Sequence, residues 1–190
     1  LPNELKIVSG NSEQINAVYL EHPTAKYTIL FSHGNAEDLG NVAPFMQQFY
    51  DRGYSVLMYD YRGYGTSEGR PSTRTAKQDA AAAYDWLVRE KGVAPQNIIS
   101  QGRSLGGAVA TWLAAHREVG GLIVEVSFVS AFRVMTHWPL LPWDKFNSLK
   151  SIRRANCPVL VIHGTADEII PFWHGQKLYD AAPEPRQHLW

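Results

Sequence analysis

Residues 98–115 read IISQGRSLGGAVATWLAA: a β-branched run, then Gly-Arg-Ser-Leu-Gly-Gly, then an alanine-rich run. This order predicts a strand, a tight turn and a helix, which is the setting that a nucleophile elbow requires. Gly102 and Gly106 flank Ser104 because a Cβ at either place would crowd such a turn. Ser104 is therefore expected at the N-terminus of a helix, where free amides and the helix dipole favour a developing negative charge. The pattern alone also fits a glycine-bearing loop that enters an ordinary helix.

The composition indicates one globular domain with a balanced surface. The 190 residues are enough for a sizeable core, and 18 Lys and Arg balance 18 Asp and Glu. The signs are interspersed, so the sequence does not indicate a nucleic-acid partner or an anionic membrane surface. Cys157 is the single cysteine, which excludes an intrachain disulfide. No apolar run reaches the roughly 18 residues that a transmembrane segment needs.

Apolar strand patterns alternate with helical patterns, which predicts an α/β domain over residues 1–190 with a mainly parallel sheet. A hairpin is expected at 4–8 and 15–20, followed by strands at 27–32, 54–60, around Ile98, at 121–126, 159–164 and 186–190. Helices are expected at 42–52, 76–91, from the elbow to about His116, and at 172–182. Thr73 or Thr75 is the expected cap of the second helix.

Residues 128–156 break this alternation. The segment contains Trp138 and Trp143 among prolines and leucines at irregular spacing. Long connections in α/β enzymes are often lids or binding loops, so this insert is expected to line an acyl or alcohol pocket. The alternative is a packed excursion without a ligand role.

Four motifs together are more specific than the elbow alone: 33–38 (HGNAED), 60–67 (DYRGYGTS), 102–107 (GRSLGG) and 163–167 (HGTAD). With them the chain resembles the α/β-hydrolase superfamily over nearly its whole length. Within it, the chain is most similar to small serine hydrolases that include the eukaryotic membrane-anchored α/β-hydrolase-domain proteins and their bacterial relatives. The resemblance implies a mostly parallel twisted sheet with helices on both faces.

An acyl-transfer nucleophile needs two backbone N–H donors aimed at the oxyanion. The amide of Leu105, directly after Ser104, is expected to be one of them. The resemblance implies that the other comes from the loop after strand 27–32, where we expect Asn35, with Ala36 as second choice. His33 is interpreted as a residue that holds this loop rather than as a general base.

Asp167 is the expected acid of a catalytic triad. It follows strand 159–164 at its carboxyl end, the edge of an open α/β sheet where Ser104 also lies and where ligands bind. The order Ser, Asp, His is the one that this fold uses, and Asp167 would hold the tautomer of a catalytic imidazole. The alternative is a turn aspartate, because Gly-Thr-Ala-Asp also suits a loop. The neighbouring Glu168 is a less favoured choice.

The general base is the open question. The resemblance implies a histidine in the loop after the last strand, which would lie beyond Trp190. His188 is the alternative within the chain, although it falls inside an apparent strand. His163 is expected to be structural and His174 to be exposed. On this interpretation the chain lacks efficient hydrolase activity of its own.

The two ends suggest a piece of a longer protein. The chain begins at Leu1 instead of Met, so a signal or membrane anchor is expected to have been removed. The localisation is therefore open between cytoplasmic and membrane-anchored.

No cofactor is expected. The glycines of 60–69 do not form a phosphate-binding motif, and the loop follows an interior strand, so Asp60 and Arg62 are expected to fix a structural loop. No cluster of Cys, His and carboxylates has the spacing of metal ligands.

The sequence thus predicts a serine hydrolase that cleaves a carboxylic ester or thioester of a small-molecule or lipid-like acyl substrate through an acyl-enzyme. A peptidase or a protein depalmitoylase is the alternative within enzymes. A non-catalytic binding module on a hydrolase scaffold is the alternative from another class.

Overall fold

The structure is a computed structural model that describes residues 3–129 and 147–190. These residues form one eight-stranded sheet in the order β1-β2-β4-β3-β5-β6-β7-β8. The strands are β1 Glu4–Ser9, β2 Glu13–Leu20, β3 Thr28–Ser32, β4 Ser55–Tyr59, β5 Ile98–Arg103, β6 Gly121–Glu125, β7 Val159–Ile162 and β8 Arg186–Leu189. Strand β2 pairs antiparallel with β1 and β4, and every other pairing is parallel. The predicted α/β class with a mainly parallel sheet is confirmed.

Helices cover both faces of the sheet. They are α1 Leu39–Tyr50, α2 Thr73–Arg89, α3 Leu105–Ala114, α4 Ser148–Ile152 and α5 Trp173–Ala181. Helix α1 packs with Ile29, Phe31 and Val56 on one face. Helices α2 to α5 share the larger cluster on the other face, where Leu30, Leu57 and Val161 contribute from the strands. Alternate residues of a strand thus serve two separate cores, which is why these interior strands read as continuous apolar runs.

Two helices begin three residues earlier than predicted, because polar side chains define their starts. Asp38 caps α1 by accepting from the Asn41 amide, and Asn41 accepts from the Asp38 amide in return. Ser72 and Thr75 form the same reciprocal pair before α2. The expectation that Thr73 or Thr75 caps α2 is therefore wrong, since Ser72 holds the cap position and Thr75 the third helical position.

The loop after β4 is structural, as predicted. The Arg62 guanidinium donates from Nε to Asp79 Oδ1 at 2.7 Å, and the Arg62 amide donates to Asp79 Oδ2 at 2.9 Å. Ser9 Oγ donates to the same carboxylate at 2.6 Å. Asp60 Oδ1 accepts from the Leu39 amide at 2.9 Å, which joins this loop to the start of α1. Buried charges of this kind are stable only when paired and hydrogen-bonded, as here.

The insert expected at 128–156 is only partly described. Its aromatic portion, with Trp138 and Trp143, lies outside the described residues, so the lid prediction stays a prediction. The described end contains α4, which the sequence analysis did not predict. Asn147 caps this short helix, and Ile152 is fully buried in the core next to α3 and α5.

Candidate active site

Ser104 has a backbone conformation that side-chain-bearing residues rarely adopt, with φ 54° and ψ −117°. Such a conformation costs about 1–3 kcal/mol and persists only where the surroundings enforce it. Here three hydrogen bonds do so. The Ser104 amide donates to the Glu125 carbonyl at 2.9 Å, and the Ser104 carbonyl accepts from the Gly107 amide at 3.0 Å and from Ser127 Oγ at 2.8 Å.

The glycines around Ser104 are required by close backbone contacts. A Cβ on Gly102 would lie 2.1 Å from the Gly106 carbonyl oxygen, and one on Gly106 would lie 1.9 Å from the Ser32 carbonyl oxygen. A Cβ on Gly107 would lie 2.6 Å from Cβ of Ser127. The steric reason given for Gly102 and Gly106 in the sequence analysis is thus confirmed. These contacts press the turn against the end of β3.

The turn leaves the N-terminus of α3 open. Ser104 precedes the first helical residue, Leu105, and its side chain makes no capping hydrogen bond. Within the described residues, the Leu105 amide has no hydrogen-bond partner. Because Ser104 directly precedes Leu105, its hydroxyl lies beside an unsatisfied backbone donor and the positive end of the helix dipole. Ser104 is also partly exposed.

The loop after β3 is held by His33. This side chain is 1% exposed; its Nδ1 lies 2.8 Å from the Gly34 carbonyl oxygen, and its Nε2 lies 3.4 Å from Asp60 Oδ1. The Tyr61 hydroxyl donates to the His33 carbonyl at 2.9 Å. His33 is therefore a structural residue of the loop, as expected from the sequence.

The next residues of this loop differ in whether their backbone amides are hydrogen-bonded. The Gly34 amide donates to Glu37 Oε2 at 2.7 Å and is thus already used. Asn35 and Ala36 are exposed, and neither amide has a partner among the described residues. The Asn35 side chain is fixed, since its Oδ1 accepts from the Tyr64 hydroxyl at 2.5 Å. This pattern keeps the Asn35 amide available as an oxyanion donor, with Ala36 next to it.

Asp167 lies in the loop after β7, at the same edge of the sheet as Ser104. Its Oδ1 accepts from the amides of Ile169 and Ile170, each at 2.8 Å. The buried His163 braces this loop, because its Nε2 lies 2.8 Å from the Ile170 carbonyl oxygen. Asp167 Oδ2 has no partner within the described residues. The hydrogen bonds of Oδ1 thus fix the orientation of the side chain, and Oδ2 remains able to accept a hydrogen bond.

No histidine of the described residues hydrogen-bonds to Ser104 or Asp167. His188 lies on β8 with its ring stacked on Trp190 at 4.6 Å and packed edge-on against Tyr179 of α5 at 4.7 Å. The expectation of an exposed His174 is wrong. Its side chain, in the first turn of α5, is fully buried and accepts from the Val129 amide at 3.2 Å.

Two residues of the site escaped the sequence analysis. Ser127 holds the Ser104 carbonyl, and Glu125 supplies the carbonyl that holds the Ser104 amide. The Glu125 carboxylate also accepts from Gln101 Nε2, while burial raises its pKa above the ordinary value. The available signal was a carboxylate at the end of an otherwise apolar strand, GLIVE.

The described residues contain no cluster of His, Cys, Asp and Glu that could hold a metal ion. Over the same residues, every helix is too short or too polar to cross a bilayer.

Comparisons with known proteins match this architecture. A family model described as serine aminopeptidase, S33, matches residues 23–145. Alpha/beta hydrolase domain-containing protein aho-3 of Caenorhabditis elegans is 38% identical over 174 residues, which are 88% of this chain and 52% of that protein. Alpha/beta hydrolase domain-containing protein 17C of Homo sapiens is 39% identical over 173 residues, with 88% and 52% covered. The chain spans about half the length of the curated relatives it matches.

Solved structures share the fold at low sequence identity. The Pyrococcus furiosus esterase Pf2001 superimposes with a TM-score of 0.82 at 18% identity, covering 98% of this chain and 80% of that one. An alpha-beta serine hydrolase homologue from Coxiella burnetii has a TM-score of 0.79 at 18% identity, covering 99% and 86%. At these identities the likeness concerns the fold alone.

Proposed function

The chain belongs to the α/β-hydrolase family described as serine aminopeptidase S33, and from that membership we propose that it cleaves a carboxylic ester or thioester through an acyl-enzyme on Ser104. The observation that carries the proposal is the conformation of Ser104. A serine is held at φ 54° beside an unsatisfied helix amide, where no described side chain occupies its hydroxyl. Strain of this kind is found where pre-organisation serves chemistry.

In the proposed reaction, Ser104 Oγ attacks the substrate carbonyl and its proton passes to a histidine base. The carbonyl oxygen becomes an oxyanion, which the amides of Leu105 and Asn35 hold. The base then gives the proton to the leaving alcohol or thiol as the bond to the carbonyl carbon breaks. Water, deprotonated by the same base, hydrolyses the acyl-Ser104 ester and releases the carboxylic acid.

Asp167 is proposed to orient the base. Its Oδ2 is available to accept from the ring nitrogen that does not face Ser104, while Oδ1 is tied to the loop amides. Strand β8 pairs parallel with β7, so the position after Leu189 lies at the same edge as Asp167. A histidine in the loop that follows this strand, beyond Trp190, would meet both Asp167 and Ser104, which is the arrangement that the family resemblance implies. His188 is the alternative base.

The pocket beside Leu105 favours an ester or thioester substrate over a peptide with a free N-terminus. Among the described residues, the side chains that line it are aromatic, aliphatic or hydroxyl-bearing, and none of these is charged. A site for a free α-amino group would be expected to offer a carboxylate there. The peptidase remains the alternative that the name of the family model suggests.

The test is turnover of p-nitrophenyl butyrate, together with covalent labelling by a fluorophosphonate. With imidazole added to supply a base, Ser104→Ala is expected to abolish labelling and all turnover above that of imidazole alone. The matched control is Ser100→Ala, which removes a buried hydroxyl from strand β5, four residues before Ser104, and should keep both signals. Labelling or turnover that persists in Ser104→Ala would exclude Ser104 as the nucleophile, and the absence of both from the parent chain even with imidazole added as the base would favour the binding-module alternative.

A further inference from the structure

An apolar pocket of about 210 Å³ lies directly beside the proposed oxyanion site. Its walls come from the loop after β4, from the start of α2 and from the first residue of α3. They include Tyr61, Tyr64, Pro71, Thr73, Ala76 and Leu105. The sequence predicts no role for this combination of residues, and the proposed reaction does not use their side chains.

The pocket contacts one of the two residues whose amides are proposed to hold the oxyanion, and a residue of its wall is hydrogen-bonded to the other. Leu105 forms one wall directly. Tyr64 forms another, and its hydroxyl donates to Asn35 Oδ1 at 2.5 Å. A carbonyl held between the Leu105 and Asn35 amides would therefore direct one of its two substituents into this pocket.

The hydroxyls of Tyr61, Tyr64 and Ser72 are hydrogen-bonded to other parts of the structure. The Tyr61 hydroxyl donates to the His33 carbonyl, and the Ser72 hydroxyl accepts from the Thr75 amide in the cap of α2. Burial raises the pKa of Tyr61 well above its ordinary value and also raises that of Tyr64, so both phenols are neutral at physiological pH. The pocket therefore offers ring faces and aliphatic surface to its ligand, which selects an uncharged hydrocarbon group.

The order of the strands in the sheet indicates whether the acyl group or the leaving group of the substrate enters the pocket. The pocket lies on the β3–β4 side of Ser104, because Tyr61 and Tyr64 follow β4. Asp167 follows β7 and lies on the opposite, β6–β7, side. The base that Asp167 orients must protonate the leaving group, so the leaving group lies on the Asp167 side. The acyl substituent then points towards the pocket.

We propose that this pocket is the acyl-binding site and that it takes an apolar acyl group of roughly six to eight carbon atoms. The size follows from its volume, since an apolar cavity of about 150 Å³ holds benzene. The assignment rests on the proposed hydrolase function, and it adds to it the part of the substrate that the pocket selects.

Binding is measured first without turnover, in the Ser104→Ala background, by calorimetry with straight-chain primary amides of two to twelve carbons. Affinity is expected to rise roughly fourfold per added methylene group until the pocket is full, and then to level off. Thr73→Trp adds an indole to the pocket wall from a partly exposed position. It should shorten the chain length at which the affinity levels off, which is called the break below. The matched control is Arg74→Trp, the next residue along, which is exposed and is not part of the pocket wall.

Leu105→Ala should shift the chain length at which affinity levels off in the opposite direction, and misfolding would not produce such a shift. It removes side-chain volume from the wall and keeps the backbone amide, so the break should move to longer chains. Identical breaks in the parent, Thr73→Trp and Leu105→Ala proteins would overturn the pocket assignment.

Turnover distinguishes the acyl group from the leaving group. With Ser104 present, Thr73→Trp should shift the chain-length profile of p-nitrophenyl esters, in which the acyl group varies, and leave that of alkyl acetates unchanged. A shift in the acetate series instead would place the leaving group in the pocket and overturn the assignment, although the hydrolase function would stand. Chain-length-dependent binding without any Ser104-dependent turnover, even with imidazole added as the base, would overturn the hydrolase function, and with it the acyl role.

Discussion

Arg103 and Glu37 form an ion pair that joins the residue before the proposed nucleophile, Ser104, to the proposed oxyanion loop. Glu37 also accepts from the Gly34 amide at 2.7 Å, so a single carboxylate holds both the loop and the elbow. The two side chains are 66 positions apart in the sequence. The relative position of Ser104 and the Asn35 amide therefore depends on this pair.

Arg103→Met is expected to lower kcat of ester hydrolysis by about tenfold, because oxyanion donors act only when correctly placed. Its effect on the free energy of unfolding should stay below about 1 kcal/mol, since the pair is partly exposed to solvent. Kinetics and urea unfolding of the same protein check both parts. Lys91→Met is the matched control: it removes an exposed ion pair with Glu21 and should leave kcat unchanged. Equal kcat losses in the two variants would exclude a positioning role.

Gly106→Ala is expected to destabilise the fold by more than about 3 kcal/mol. Its Cβ would lie 1.9 Å from the Ser32 carbonyl oxygen, and neither backbone can move without disturbing the centre of the sheet. Gly164→Ala is the control, since a Cβ there meets nothing within 4 Å. Urea unfolding at one pH compares the two variants, and similar stabilities would mean that the contact between α3 and β3 is not close.

Arg62→Met should cost about 3–5 kcal/mol at pH 7, because it leaves the Asp79 carboxylate buried without its cation. Burial raises the pKa of Asp79 above its ordinary value, and loss of Arg62 removes an opposing effect, so the pKa in the variant is higher still. A carboxyl group whose pKa is higher in the folded state stabilises that state when the pH is below its pKa in the unfolded chain. This stabilisation is lost as the pH rises through its pKa in the folded protein.

The penalty of Arg62→Met is therefore expected to shrink as the pH falls from 7 to 4. Unfolding curves of wild type and variant at both pH values give the difference directly. In an Asp79→Asn background, Arg62→Met should show a penalty, relative to Asp79→Asn alone, that no longer varies over this range, and an unchanged pH dependence there would assign the effect to a group other than Asp79.

Added imidazole tests where the general base lies. If no resident histidine reaches Ser104, imidazole should stimulate p-nitrophenyl butyrate turnover in proportion to its concentration, and only when Ser104 is present. His188→Gln is then expected to behave like the parent chain. If imidazole has no effect and His188→Gln loses activity, His188 is the base and its stacking on Trp190 must be broken during the reaction.

Predictions from local patterns were accurate where local physics decides. The elbow at Ser104 was predicted because glycine spacing and a β-branched run ahead of an alanine-rich one are both visible within 18 residues. Helix starts were less accurate. The apolar periodicity of α2 begins after its polar first turn, so the cap at Ser72 was missed. His174 follows a proline and looked exposed, yet α5 turns it into the core, where it accepts from Val129.

The sequence by itself determined the order of the strands and helices, the strained serine turn and the residues at the carboxyl ends of β5 and β7. These features follow from hydrophobic period and from the steric needs of single residues, which act over short stretches of chain. Only the tertiary structure decided that Glu37 meets Arg103, that Ser127 supports Ser104, and that Tyr61, Ala76 and Leu105 enclose one pocket. Such contacts join segments that are distant in the chain, and they exist only once the parallel sheet brings its strand ends to one edge.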